Sequence, residues 1–573
     1  MAERGLRKGL TSYGDAGFSL FLRKAFIKAA GYSDDALDRP IVGIAATGSD
    51  FNPCHGNMPA LVEAAKRGVM LAGGLPMAFP TISLHESFAQ PTSMFLRNLM
   101  AMDTEEMIRA QPMDSVLLIG GCDKTLPAQI MGAVSADLPA LVLPVGPMVV
   151  GHHKGEVLGA CTDCRRYWAA YRAGAIDGAE IEAVSGRLAP SVGTCMVMGT
   201  ASTMALMAEA LGLALPGSGS IPAPHAERLR AGEAAGRLAA EMARSGHPRP
   251  SEIVTFGAIQ NAMTVLQAIG GSTNGVIHLA AIAGRAGLSL DLEALDGIGR
   301  RTPVLVDLKP SGRHYMEHFH AAGGLPRLLV ELADLLDLAQ PTITGGRLGD
   351  ALTPPKDRHP QDVIRPRGEP LKREGAIAVL RGNLCPLGAL IKHSAASEAL
   401  LRHEGRAVVF ESLADLAARI DDPALDVAAE DVLVLKSAGP KGAPGMPEAG
   451  YLPIPRKLAE RGVKDMVRIS DARMSGTAFG TIVLHVAPES ADGGPLGLVE
   501  TGDRIRLDVP DRRLDLLVEE EELARRRQRR TALPSPALPE RGYARLFQES
   551  VLQADRGCDF DFLVPGLRRR AAL

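Results

Sequence analysis

Through its first two thirds the chain alternates short apolar runs of strand length with longer runs of helical period, which restricts it to folds built on a parallel sheet covered on both faces. Pro40–Ala46 (PIVGIAA), Ser115–Ile119 (SVLLI) and Ala140–Val145 (ALVLPV) read as buried strands. One helix is expected over about Pro59 to Ala72, with Val62, Ala65, Val69 and Ala72 on one face and Gly73–Gly74 as its stop signal; another is expected near Pro127–Ala136. Between Thr344 and Glu374 the composition turns to Pro, Gly, Arg and Asp without period, which reads as a linker and divides residues 1–365 from 366–573. Beyond it the pattern is more β-like. Arg504–Val509 and Leu514–Val518 flank a Pro–Asp–Arg–Arg turn and predict a hairpin in a β-barrel or sandwich. The expected fold class is therefore α/β for the N-terminal part, with a second domain rich in β-structure.

At 573 residues, two or three domains are expected. A formal charge of −3 supplies no basic excess for a nucleic acid or a membrane surface, so neither is expected as a partner. Sixty-two glycines and only 4% aromatic residues suit a backbone that turns tightly around small polar ligands rather than a base- or sugar-stacking surface. No run approaches the roughly 20 apolar residues that span a bilayer. The basic stretch Met1–Lys28 lacks an apolar core and a small-residue cleavage site, so it reads as mature protein, and a cytoplasmic location is expected.

Seven cysteines, an odd number in a long chain, favour metal or catalytic use over a disulfide scaffold. Cys54 (SDFNPCHGNMP) and Cys122 (LLIGGCDKTLP) each stand just past a strand and just before a helix. Cys195 (SVGTCMVMGTAST) follows a Gly–Thr turn and precedes a helix ending near Gly212. Helix N-termini favour thiolates, and the crevice at the carboxyl ends of parallel strands is where ligands bind. A single such cysteine is more often a small buried hydrophobe; three together point to a metal site with one coordination position left open for catalysis. Cys161–Thr–Asp–Cys164 is a C-x-x-C without a matching second half, a weak signal, and Cys385 and Cys558 have no supporting context.

Asp123 and Lys124 share the Cys122 loop, Glu86 lies in ISLHES, and Glu448 lies in the constrained loop KSAGPKGAPGMPEAG. Carboxylates drawn from several loops suit an oxygen-loving ion such as Mg²⁺. Ser475, in RISDARMSGTAFGT, reads either as part of a Ser–Gly turn or as an alkoxide base activated by a nearby cation. Glu519–Arg530 (EEEELARRRQRR) reads as a solvated helix or loop.

The motifs NPCH, GCDKTLPAQIMGA, GTCMVMGTAST, GGSTN, GPKGAPGMPE, DARMSGTAFG and HVAPES together resemble those of the dihydroxy-acid and sugar-acid dehydratases, over about Tyr13 to Asp508. That family includes dihydroxy-acid dehydratase, 6-phosphogluconate dehydratase and the pentonate dehydratases, and ESFAQPTSMFLRNLMAMDTEEMIRAQPMD is most similar to the arabinonate and xylonate enzymes. The resemblance implies an α/β N-terminal domain, a C-terminal β-barrel, and an active site between them and across a dimer contact, in dimers or tetramers. It also implies a [2Fe–2S] cluster on Cys54, Cys122 and Cys195. Mg²⁺ would sit on Glu86, Asp123 and Glu448, with Lys124 as a further ligand, carbamylated in some members. Ser475 matches the family's base, whereas Cys161 and Cys164 match no ligand position. Ala46–Thr47–Gly48 and His85 depart from the pentonate pattern and are expected to line the pocket.

The expected reaction is dehydration of a 2,3-dihydroxy sugar acid to a 2-keto-3-deoxy acid, without net redox change. The alternative substrates are the branched dihydroxy acids of amino-acid synthesis and, third, a phosphorylated gluconate. An iron–sulfur electron carrier would want a fourth ligand and would leave the carboxylates without a role.

Overall fold

In the computed structural model the described residues are 4–352, 360–531 and 538–566. The four strands β1 (Ile41–Ala46), β2 (Leu75–Pro80), β3 (Ser115–Gly120) and β4 (Ala140–Pro144) form an all-parallel sheet in the order β2-β1-β3-β4. The runs predicted as strands at Pro40, Ser115 and Ala140 are all there, within a residue or two at each end. Their apolar continuity has a plain cause: every residue of β3 and β4 is buried, as a parallel sheet with helices on both faces requires. Four helices introduce the layers: α1 (Ala16–Ala29), α2 (Met58–Leu71), α3 (Ser93–Ala110) and α4 (Thr125–Ala136). Val62, Ala65 and Val69 of α2 face the core as their spacing predicts. Further helices, among them Thr200–Ala210, Phe256–Ala268 and Asn274–Arg285, extend the same core.

The hairpin Gly151–His153 and Glu156–Leu158 (β5, β6) stands apart as a two-stranded ribbon. The second sheet has eight strands: β7 (Ala378–Leu380), β8 (Gly388–Ile391), β9 (Arg402–Phe410), β10 (Val432–Leu435), β11 (Arg468–Ser470), β12 (Ile482–Ala487), β13 (Arg504–Asp508) and β14 (Arg513–Leu516). Their order is β14-β13-β9-β10-β11-β12-β8-β7, and a bridge between Arg381 and Arg513 links the two edge strands, so the sheet nearly closes into a barrel. The predicted hairpin is β13–β14, paired antiparallel from Ile505–Leu516 to Asp508–Arg513. The sequence pattern does not reach the parallel pairing of β9 through β12. Those strands alternate between two cores: Val432 and Val434 point into the barrel, while Leu433 and Leu435 pack under the helix Leu413–Arg419 and its neighbours.

The segment read as a linker is pinned to the first core through bridges Val304–Lys372 and Val306–Ile364; its residues 353–359 lie outside the described residues. The charged run at Glu519 forms the helix Glu520–Thr531, mostly solvent-exposed as its charges predict, with one side set against the barrel. Leu523 is buried against the barrel and Arg526 pairs with Asp503 at 2.6 Å. No helix among the described residues is long and apolar enough to cross a membrane.

Candidate active site

The loops that leave the carboxyl ends of β1 and β3 meet through one histidine. The Cys122 backbone N–H donates to His55 Nε2 at 3.0 Å, which leaves Nδ1 as the protonated nitrogen, 2.7 Å from the Thr47 carbonyl oxygen. Burial holds this imidazole neutral, down to about 4. His55 therefore fastens the Cys54 turn (Pro53–His55) to the Cys122 loop, a positioning role that the letters NPCH contain but do not reveal. The ligand atoms of Cys54, Cys122 and His85 lie within 4.8 Å of one another. A hydrogen bond from Cys122, with His85 alongside and against the cost of burial, lowers the Cys54 thiol to about 6, and Cys122, as the donor, is raised. Cys195, the third cysteine expected in this set, is not among those three; a hydrogen bond with Cys161 and burial raise its thiol. Its nearest sulfur is Cys161, at 3.3 Å between the two Sγ atoms. Sequence alone does not join those two residues.

Beside the thiols is an all-oxygen cluster. Glu86, Asp123 and Glu448 present carboxylate oxygens within 4.8 Å of one another, drawn from three separate stretches of chain. Glu86 lies against the N-terminus of α3 and accepts hydrogen bonds from Thr92 (2.6 Å) and Ser93. Burial alone would raise it, but Arg473, Lys124 and those hydroxyls hold it well below the usual carboxylate range. Burial pushes Glu448 up to about 7, with Arg473 opposing and Glu86 adding to the rise. Lys124 is fully buried and pairs with Asp123, with Glu86 at 3.9 Å.

Arg473 is the residue that sequence reasoning misses here. Fully buried, it bridges Glu448 at 2.5 Å and Glu86 at 2.9 Å, tying the second sheet's loop to the first domain's carboxylate. Its signal is present as the lone basic residue in DARMSG. Three carboxylates converge on two cationic side chains, Lys124 and Arg473, and an all-oxygen donor set of this kind suits a divalent ion. Soft sulfur donors for iron and hard oxygen donors for Mg²⁺ thus form adjoining but separate sets, and the donor chemistry fits both groups.

Ser475 is half-buried on the loop after β11, and its Oγ lies 2.8 Å from Thr477 Oγ1. The first domain holds this loop at three points. Asn274 Nδ2 donates to the Met474 carbonyl at 3.0 Å, and Thr162 Oγ1 donates to the Thr477 carbonyl at 3.0 Å. Gly476 passes so close to Ser272 and Thr200 that a Cβ there would lie 2.6 Å from the Ser272 Cβ. The GGSTN motif is therefore the clamp for the Ser475 loop. The HVAPES motif acts in a similar way on the other loop. Its Glu489 accepts from the backbone N–H groups of Lys441 and Gly442, both at 2.9 Å, and so shapes the segment that carries Glu448.

Comparison with known proteins bears on what this arrangement does. Residues 39–351 match the family model described as dihydroxy-acid/6-phosphogluconate dehydratase N-terminal, and residues 362–558 match its C-terminal counterpart. The chain is 50% identical to L-arabonate dehydratase of Azospirillum brasilense, over 95% of this chain and 94% of that one. It is 46% identical to 6-deoxy-6-sulfo-D-gluconate dehydratase of Pseudomonas putida, over 93% and 92%. Identity falls to 37% against dihydroxy-acid dehydratase of Carboxydothermus hydrogenoformans, over 95% and 98%.

Proposed function

Because the chain belongs to the dihydroxy-acid/6-phosphogluconate dehydratase family, we propose that it is a hydro-lyase that dehydrates a 2,3-dihydroxy sugar acid of the aldonate class to a 2-keto-3-deoxy acid. The observation that carries the substrate class is the gap between 46–50% identity to two sugar-acid dehydratases and 37% to a branched-acid one, each over nearly the whole chain.

In this reading Cys54, Cys122 and Cys195 hold a [2Fe–2S] cluster, while Glu86, Asp123 and Glu448 hold Mg²⁺ with Lys124 beside them. When bound, these groups supply Lewis acidity to the leaving C3 hydroxyl and to the substrate's carboxylate end. The chain's own work is positional and proton-handling. Ser475 takes the C2 proton, with Thr477 fixing the direction of its Oγ. Arg473 and Lys124 keep Glu86 ionised, and their ion pairs hold Asp123 and Glu448 in place. His85, with a ring nitrogen within 4.8 Å of the Cys54 and Cys122 sulfurs, would line the pocket beside the cluster. We assign the protein to the cytoplasm, where a reducing pool keeps thiols free, as all seven cysteines are here. We further assign it a homodimeric or homotetrameric state.

The test is an anaerobic assay of C4 to C6 aldonates and 2,3-dihydroxyisovalerate for 2-keto acid formation with Mg²⁺ present. Turnover of the aldonates well above the branched acid is expected. Preference for the branched acid would overturn the sugar-acid reading in favour of amino-acid synthesis. Ser475→Ala is expected to lose about 10²-fold or more in kcat, the range for a general base, while keeping its cluster spectrum. Full turnover by that variant would remove Ser475 from the mechanism.

A further inference from the structure

The proposed reaction makes use of Cys54, Cys122 and Cys195 but has no role for Cys161 and Cys164, and the structure does not leave these two as isolated core thiols. Cys161 occupies the N-cap of the helix Thr162–Arg172, and Cys164 lies one turn further on. Positions three apart on a helix bring their Cβ atoms to roughly 5–6 Å, close enough for modest adjustment of the first turn to reach disulfide geometry. On its other side Cys161 Sγ lies 3.3 Å from Cys195 Sγ, so one thiol adjoins both a candidate cluster ligand and a second thiol. Cys161, Cys164 and Cys195 are all partly exposed, whereas Cys54 and Cys122 are buried. The three-thiol row is thus the less deeply buried part of the sulfur site. Thr162, next in sequence to Cys161, also holds the Ser475 loop through Thr477, which keeps this helix start in register with the site.

We propose that Cys161 and Cys164 form a thiol–disulfide exchange site that accepts a low-molecular-weight disulfide and returns Cys195 to its free thiol when the cluster is lost. The inference rests on the reading of Cys195 as a cluster ligand. The chemistry is a relay of sulfur exchanges. A small disulfide RSSR reacts with the Cys195 thiol, which forms a Cys195–SR bond and releases RSH. The Cys161 thiolate attacks Cys195 Sγ, forms the Cys161–Cys195 bond and expels the second RS⁻, which takes up a proton. The Cys164 thiolate then attacks Cys161 Sγ, forms Cys161–Cys164, and Cys195 leaves as a thiolate that is reprotonated. In sum two protein thiols are oxidised, RSSR is reduced to two RSH, and Cys195 ends unchanged and ready to bind iron. A lone ligand cysteine would instead stay blocked as a mixed disulfide or move up the irreversible oxidation ladder.

The experiment uses the full-length protein, stripped of its cluster by an iron chelator without oxygen, exposed to glutathione disulfide, alkylated and mapped by peptide mass spectrometry. Wild type is expected to show a Cys161–Cys164 bond with Cys195 alkylated. Cys164→Ser should trap the Cys161–Cys195 bond, and Cys161→Ser should leave Cys195 as the glutathione mixed disulfide. On addition of iron and sulfide, oxidised wild type should regain cluster absorbance without reductant, and oxidised Cys164→Ser should regain it only after dithiothreitol. Cys54 and Cys122 are common to both proteins, so the difference isolates Cys164. An oxidised wild type in which Cys161 and Cys164 remain alkylated, or a Cys164→Ser protein without the Cys161–Cys195 bond, would overturn the relay. Full iron content in Cys195→Ser would overturn the ligand role of Cys195 while the disulfide map judged the exchange chemistry on its own.

Discussion

Glu209 shows how a single buried group writes a pH dependence into the first core. It lies in the helix Thr200–Ala210 and accepts from the Gly217 and Gly219 backbone N–H groups at 2.5 and 3.0 Å. Burial nonetheless pushes it up to about 7, against the pull of those two amides and of Arg228. The folded protein therefore binds the Glu209 proton more tightly than the unfolded chain. Its stabilising contribution is complete below the ordinary carboxylate pKa and is lost as pH rises from about 4.5 through about 7. The slope is at most about 1.4 kcal/mol per pH unit in that window, so the total is of order 3 kcal/mol. Glu209→Gln removes the titration. The stability advantage of wild type over Glu209→Gln should shrink between pH 5 and pH 8, read as the difference in urea midpoints. A constant difference across that range would show that Glu209 does not titrate there. Cys54, Cys122 and Asp123 are legible from the sequence at this scale because their local segments are unusual. His55 and Arg473 are not, because their importance lies in what they join.

At the scale of elements, the site depends on loops held at van der Waals distance by loops from elsewhere. The Glu448 loop passes over the start of α3, where Gly445 has φ +89° and a Cβ would lie 2.6 Å from Phe95 N. The Ser475 loop makes the equivalent approach at Gly476, where a Cβ would lie 2.8 Å from Thr200 N. Neither neighbour is a side chain that can swing away, so Gly476→Ala must lift the loop. Displacing a reacting group by about 1 Å costs on the order of 10²-fold in rate. Gly476→Ala is therefore expected to lower kcat by about that factor with little change in iron content, checked by steady-state kinetics beside iron analysis. Wild-type kcat would show that the loop accommodates the methyl group. The motif letters make these glycines conspicuous, but which backbone each one faces is not readable from them.

Across the whole molecule, the C-terminal segment fastens the two halves together. Phe547 and Phe560 pack with Met94 and Ile277 of the first domain and with Met446 of the Glu448 loop. Arg97 donates to the carbonyls of Gly557 and Cys558 at 2.8 and 3.0 Å, and fully buried Asp559 pairs with Arg285 at 2.5 Å. Asp559→Ala leaves the Arg285 charge with only Glu105, at 3.3 Å, and should cost about 3 kcal/mol, the lower range for breaking a buried pair. A thermal melt unchanged from wild type would exclude that role. The same scale governs assembly. Phe18, Phe21 and Phe26 of α1 are 46%, 64% and 72% exposed, an aromatic surface that the proposed homo-oligomer would cover. Light scattering is expected to give the mass of two or four chains, and the mass of one would refute the assignment.

Features that depend on neighbours along the chain can be read from the residues alone. The parallel strands β1, β3 and β4 follow from continuous apolar runs, α2 follows from its period and stop signal, and the β13–β14 hairpin follows from its turn. The kinds of donor available are legible as well, since NPCH, GCDK and GMPE carry sulfur and carboxylate groups that could serve as ligands. Which of them meet depends on contacts between distant parts of the chain. Arg473 and Glu86 are far apart in sequence yet 2.9 Å apart in space, and Cys161 reaches Cys195 rather than a second C-x-x-C. The parallel order of β9 to β12 was likewise settled by long-range packing, because Val432–Leu435 is apolar on both faces and its pattern does not say which strand lies beside it. Local pattern records which face a residue must bury. The partner that buries it is chosen by the closing of loops from distant parts of the chain, and there the site is made.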